Sequence, residues 1–491
     1  MTLVLLLLIP LLASLICWRA RARAVWEWTN LGAFLAISAL ALRLGATVLR
    51  HGPQAALVGF LRADALSALV IGLTAFVTLA CGIYAVGYFR HDTRAGRVSD
   101  PQLRHYYVLT PLFVGAMLWV TLADNLGLMW VATESVTLAS VLLVTFYNQK
   151  SSFEAGWKYI IIGSVGITLA LFGTIITYYS AVGVLGNEAR HGMNWSVLVP
   201  IADHFDPKAM RLAFILVLLG YGTKAGLAPM HTWKPDAYAE APIPTATLLA
   251  AGFLNCALYG IVRFDVLAER CLGHEFPARL LVGFGVASIL VAAPFILTQR
   301  NFRRLLAYSS IDHTGIIVAA LGFGGKLGAL GAALHLLFHA VTKPLLFFTA
   351  GNVQQHFATP HFWKVRGVLR ALPWTGAGLL LATVAVIGTP PFSLFQSEFL
   401  TLSAALAANR VAAAFLFTAG LVTIFVGFLV HMAKMNLGLP REDAPHPATE
   451  CPWKLAATLL VGAAVILLAL WLPQPLHRLV EQSAHIIAGN S

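Results

Sequence analysis

Six ionisable residues of this 491-residue chain stand in apolar surroundings, and their types and spacing suit proton transfer. Glu134 lies inside NLGLMWVATESVTLASVLLVTFY, a carboxylate too short to reach far from that setting. Lys224 ends RLAFILVLLGYGTK, after which Gly226 and Pro229 interrupt the run. His335, His339 and Lys343 follow one another at steps of four in HLLFHAVTKPLLFF, which keeps them on one slowly rotating helical face. Glu398 comes just after the break GTPPFSLFQSEF. A charge at the centre of a membrane-spanning helix costs about 3 kcal/mol, so such residues are read as functional by default. The blander readings are a protonated core glutamate, a snorkelling lysine and a helix-end carboxylate. Lys224 is six residues before Met230, about 9 Å of helix, much of which a lysine stem could cover by snorkelling.

Burial disfavours an ammonium, and a carboxylate at about 4 Å favours it by about 4 kcal/mol at an effective dielectric near 20. Moving Glu134 towards or away from Lys224 would therefore toggle the lysine between holding and releasing a proton. The histidines add stations that titrate near neutral pH. His335 and His339 also have a zinc-compatible helical spacing, but a third ligand and the glutamate of HExxH are missing. His313 and His335, on separate segments, could serve as axial haem ligands. The five cysteines are scattered, with no CxxC and no cluster spacing. The expectation is no catalytic, metal or cofactor-binding residue on this chain.

These residues need a scaffold, and composition names it. The chain is 58% hydrophobic and 11% charged, with mean hydropathy +0.77, which marks an all-α polytopic membrane protein. Apolar runs of roughly 18 to 25 residues recur, each able to cross the hydrocarbon. Fourteen are read, at 2–18, 27–48, 64–88, 106–122, 125–147, 156–180, 211–230, 242–263, 278–298, 305–323, 327–350, 373–407 (broken), 411–436 and 454–473. The longest gap, 179–211, has room for an external loop at most. The first run lacks a positive n-region and is expected to be a retained helix. Nineteen of the 33 lysines and arginines, Lys234, Arg303 and Arg441 among them, fall in loops on one side. The positive-inside rule then places both termini outside. The net charge of +12 is mostly this topology signal, which argues against nucleic acid as a partner.

Segments 7 and 12 are broken, by GTKAGLAP and GTPPF. Interrupted helices in corresponding positions of two halves point to a transport site in inverted-repeat carriers. Segments 4–8 and 9–13 form two five-helix units, each with the broken helix fourth. The expected division is 1–103 for three N-terminal helices, 104–265 and 266–436 for the two repeats, and 437–491 for a loop and the last helix.

GTKAGLAPMHTW, the acid in MWVATE, LLAYSSIDHTG, HLLFHAVTKPLLFF and the proline break before Glu398 resemble the antiporter-like subunits of respiratory complex I. The resemblance runs from about Arg104 to Ala433. YVLTPLFVGAMLWVTLADNLGLMWVATESVTLASVLL and LLAAGFLNCALYGIVRF are most similar to component F of hydrogenase-4-type complexes. It implies fourteen helices, two inverted repeats, a polar axis through the membrane, and proton translocation driven by a redox partner elsewhere in a bacterial inner-membrane complex. It assigns Glu134 and Lys224 as the pair on segments 5 and 7, His335, His339 and Lys343 as the relay on segment 11, and Glu398 as the acid on segment 12.

Three positions depart from the family's pattern. Asn255 stands where a lysine on segment 8 is common, so His313 and Asp312 are expected to bridge the gap. The usual WLPDAH reads Trp233–Tyr238 as WKPDAY, adding Lys234 near the cytoplasmic mouth. Pro344 directly follows Lys343 and frees a carbonyl one turn earlier. Glu154 and Lys158 are read as an interfacial i, i+4 pair, and Asp236 and Glu240 as entrance groups. Three other functions compete: a subunit of a multi-subunit Na⁺/H⁺ antiporter, a proton-conducting partner in energy-coupled inorganic-carbon uptake, and an inert scaffold.

Overall fold

The computed structural model describes residues 1–185, 192–440 and 445–489; Arg441 of the loop cations lies outside them. The chain runs through α1 (Thr2–Arg19), α2 (Arg23–His51), a hairpin of β1 (Gln54–Ala56) and β2 (Leu61–Ala63), α3 (Ala65–Arg94), α4 (Asp100–Leu122), α5 (Leu126–Val144) and α6 (Lys150–Leu185). A one-turn helix at Trp195–Leu198 and a 3-10 helix at Val199–His204 precede α7 (Pro207–Ala225), α8 (Trp233–Glu240), α9 (Ile243–Leu272), α10 (Glu275–Thr298), α11 (Phe302–Phe323) and α12 (Gly325–Phe357). The last are α13 (Pro373–Val386), α14 (Ser393–Ala407), α15 (Val411–Leu437), α16 (Pro452–Leu470) and α17 (Gln474–Ile487). Among the described residues, twelve helices are long and apolar enough to cross a membrane. The seventh and twelfth segments are the split ones: α7 with α8, and α13 with α14.

Burial sorts the helices. α9, α11 and α12 are enclosed along nearly their whole length, whereas α2, α15 and α16 turn much of their surface outward. Leu42 and Phe415 are among the apolar side chains left on that exterior, as lipid-facing residues are. Side-chain caps begin several helices. Asn125 accepts from the Leu128 amide at α5, Asp64 from Ser67 at α3, and Asn301 from Arg303 and Arg304 at α11.

The seventh segment does not end near Met230 as expected. The chain turns at Gly226 and resumes as α8, fixed by Trp233 Nε1 donating to the Thr223 carbonyl at 2.9 Å. Lys234, expected in a loop, therefore lies in a helix with 0% of its surface exposed. Arg303, also expected in a loop, is buried and donates to the carbonyls of Tyr238 and Ala241 at the end of α8. A cation there meets the negative end of the helix dipole. Several elements escaped the sequence reading, a hairpin and α17 among them. The hairpin strands are three residues each, too short for a period, and α17 is an amphipathic helix after the last apolar run. Leu479, Val480 and Ile487 of α17 are buried, and the helix packs on α3 and α12.

A close contact between α6 and α7 positions Lys224. Gly163, Gly166, Ala170 and Gly173 form a stripe of small residues on α6 that lets α7 approach. A Cβ on Gly220 would lie 2.5 Å from Ala170 Cβ and 2.6 Å from the Gly166 carbonyl oxygen. Gly220→Ala should therefore force the helices apart and destabilise the protein by about 1–3 kcal/mol. A thermal melt of the detergent-solubilised protein checks this, and an unchanged midpoint would contradict the close contact.

Candidate functional site

Lys224 sits in the last turn of α7, and its side chain passes the α6 stripe, where Gly163 leaves it room. Nζ reaches α5, donating to Glu134 Oε2 at 3.2 Å and to Thr137 Oγ1 at 2.5 Å. Ser164 Oγ donates to the other carboxylate oxygen of Glu134 at 3.4 Å. The lysine side chain is 0% exposed and the glutamate 22%. One partner is dry and the other opens on the surface of the chain.

The α7 terminus follows from its glycine. Gly226 has φ +78°, a left-handed conformation that suits glycine, and the Leu227 amide bonds back to the Gly222 carbonyl at 2.8 Å. This closure leaves the Ala225 carbonyl free to accept from Lys234 Nζ at 2.7 Å. The second break is similar in kind. Gly388 has φ +66°, and a Cβ there would lie 2.1 Å from Glu398 Oε2. In each break a left-handed glycine makes space for a titratable side chain of the half-helix that follows. Glu398 is partly exposed at the surface of the chain.

Between the breaks lies a buried polar cluster on α11 and α12. Lys343 Nζ donates to Ser309 Oγ at 2.9 Å. His313 Nδ1 and His335 Nε2 are 2.9 Å apart, and His335 Nδ1 is 2.9 Å from Ser397 Oγ, next to Glu398. Ser397 donates its only hydroxyl proton to the Leu394 carbonyl at 2.8 Å. His335 must then donate through Nδ1 and accept at Nε2 from His313 Nδ1–H, which leaves His313 Nε2 as an acceptor. The His339 ring centroid is 5.1 Å from that of His313. His313 Nε2, both His339 nitrogens and Asp312 Oδ1 are buried without a protein partner, and buried polar groups of this kind are met by water.

The structure thus brings Glu134 to Lys224, and His313 and His335 to each other and towards Glu398. Asn255 is not joined to them. Its Nδ2 donates to the Ala251 carbonyl of its own helix at 3.2 Å, just after a π-helical turn at Leu249–Phe253. Asp236 is held at the rim by Lys158 at 2.9 Å and Arg304 at 3.0 Å, while Glu240 accepts from Ser151. Lys158 also pairs with Glu154 at 2.7 Å, as the spacing predicts. The direct His313–His335 hydrogen bond leaves no room for a haem between them. Among the described residues no group of three or more metal-ligating side chains comes together. The sequence reading placed Lys234 in a loop near the mouth, and it missed Ser397 and the hydroxyls of Thr137, Ser309 and Thr314. Hydroxyl residues are too common in membrane helices to stand out by type.

Gly388→Ala tests how the second break positions its acid. The added methyl must displace the Glu398 carboxyl, so proton flux through vesicles holding the variant should fall about tenfold. Wild-type flux with Gly388→Ala would show that the position of Glu398 does not matter.

The transmembrane family of NADH:quinone oxidoreductases and Mrp antiporters matches residues 123–425, more than half the chain and every residue of the site. The chain is 39% identical over 385 residues to a hydrogenase-4 component F homolog of Methylacidiphilum infernorum, covering 78% of this chain and 80% of that relative. It is 30% identical over 431 residues to the NADH-quinone oxidoreductase subunit N of Desulforudis audaxviator, covering 85% and 83%. A chain of an archaeal membrane-bound sulfane sulfur reductase superposes with a TM-score of 0.87 at 21% identity, over 99% of this chain and 97% of that one. A chain of the Mrp complex from Dietzia sp. gives 0.85 at 19%, over 99% and 96%. These two likenesses speak for the fold alone. The chain belongs to the NADH:quinone oxidoreductase/Mrp antiporter transmembrane family, as an integral membrane protein.

Proposed function

We propose that this chain is the proton-translocating, non-redox membrane subunit of a hydrogenase-4- or complex I-like assembly. The observation that carries the reading is the Lys224–Glu134 pair: a dry ammonium at 3.2 Å from a carboxylate that is partly exposed. Loss of that contact leaves the ammonium without its counter-charge in a low-dielectric interior, where it favours giving up its proton. The cluster of Asp312, His313, His335, His339 and Lys343 repeats the arrangement in the second half, with Glu398 at its far end. Proton transfer along the His313–His335–Ser397 row proceeds by hops across its hydrogen bonds, each breaking one N–H or O–H bond as the next forms, followed by reorientation of the rings and the hydroxyl.

The same reading has the chain cross the membrane fourteen times, with segments 4–8 and 9–13 as inverted repeats and both termini outside a bacterial cytoplasmic membrane. Other membrane subunits flank it and couple it to a peripheral redox arm. It carries no cofactor of its own. A route lined by lysines repels Na⁺, which weighs against direct sodium transport along it. The relatives' names support the assembly type.

Glu134→Gln and Lys224→Ala should each lower proton flux about tenfold or more while the complex still assembles. Flux is read from dye quenching in vesicles energised by a potassium diffusion potential, with assembly followed on native gels. Full flux by Lys224→Ala vesicles would sink the proposal.

A further inference from the structure

Lys234, like Arg303, is a buried cation that the sequence reading left in a loop. We propose that Lys234 is a proton station that bridges the two halves of the route across the break in the seventh segment. This rests on the Glu134–Lys224 reading and adds the residue that carries the proton onward from that pair.

Four observations place it there. Its ammonium touches both halves at once. Nζ donates to the carbonyl of Ala225, the residue after Lys224, at 2.7 Å, and to Thr314 Oγ1, the residue after His313, at 3.4 Å. Thr314 itself approaches the Ala225 carbonyl at 3.4 Å, so the three groups close a small polar ring between α7, α8 and α11. Second, the break is shaped for this side chain. A Cβ on Gly226 would lie 2.6 Å from Lys234 Cδ and 2.9 Å from Nζ.

Third, Lys234 has no carboxylate. Among the described residues it forms no ion pair; its polar contacts are neutral oxygens, with the Tyr238 ring centroid 5.8 Å from Nζ. A cation buried in a membrane protein pairs with backbone carbonyls, as Arg303 does, or with a carboxylate, as Arg263 does with Asp64 at 2.7 Å in this same chain. A lysine without a carboxylate is suited to holding a proton briefly and passing it on. Its charge is coupled to those of Lys343 and His339, members of the second cluster, and of His231, which precedes α8. Fourth, Asn255 does not occupy this position, since its amide is bonded within α9.

The step is a simple exchange. An N–H bond breaks at Lys224 Nζ, its proton moves through water, and an N–H bond forms at Lys234 Nζ. The charge leaves one nitrogen and appears on the other. The next transfer runs past Thr314 to the acceptor Nε2 of His313 or to the amine of Lys343.

The test compares Lys234→Gln with Lys234→Arg in vesicles holding the assembled complex, energised by a potassium diffusion potential. Glutamine keeps a donor for the Ala225 carbonyl but takes up no proton. Arginine keeps charge and donors but does not release one. A station requires both to lose about tenfold or more of the flux. Wild-type flux with glutamine would reduce Lys234 to a hydrogen-bond donor, and wild-type flux with arginine to a fixed charge; either overturns the proposal. Should neither variant assemble, isosteric Thr314→Val decides, with a fall of at least about threefold expected and unchanged flux overturning it. Glu134→Gln runs alongside. If it blocks flux and the Lys234 variants do not, only the bridge is wrong; if neither blocks, the underlying route is wrong.

Discussion

An ammonium enclosed by membrane helices must find every acceptor inside the protein, and much of this structure follows from meeting that demand at Lys224. Its Nζ is 3.2 Å from Glu134 and 2.5 Å from Thr137, both on α5, although the lysine belongs to α7. Reaching across requires α6 to be thin, and the glycines at 163, 166 and 173 make it so. Removing one partner of a buried ion pair typically costs 3–5 kcal/mol, about enough to make the pair the strongest local constraint. Here the penalty is reduced, because Glu134 is 22% exposed and part of its charge is solvated.

The helix breaks answer the same demand by another route. A continuous helix has its carbonyls committed to its own ladder, so a buried cation finds no acceptor there. Ending α7 at a left-handed glycine releases the Ala225 carbonyl into the interior, where Lys234 takes it. The second break uses Gly388 to open space for a carboxyl instead of a cation. Together the breaks and the acids at either end give a row whose ends are partly exposed and whose middle is dry. That contrast suits a route along which protons move without an open water-filled pore.

The apolar runs were legible because a membrane imposes a length on every crossing helix, and both breaks were legible from glycine and proline. Glu134, Lys224, His335, His339 and Lys343 stood out because an ionisable residue in an apolar run has so few explanations. Lys234 did not, since WKPDAY reads as a polar turn when taken in order along the chain. Only the tertiary placement of α8, back inside the bundle, makes it a buried lysine. The same holds for Arg303, which sits among loop cations in the sequence and at a buried helix end in space. The hairpin and α17 were missed for a simpler reason: neither carries the apolar length that membrane crossing requires.

Infrared difference spectroscopy on the assembled complex tests the central claim most directly, because a protonated carboxyl absorbs apart from a carboxylate. On imposing a membrane potential, the account requires a carboxylic-acid band to appear or vanish as Glu134 exchanges a proton with Lys224. It also requires that band to be lost in Glu134→Gln and shifted in Lys224→Ala. A difference spectrum with no Glu134-dependent carboxyl band, in a preparation that conducts protons, would contradict it.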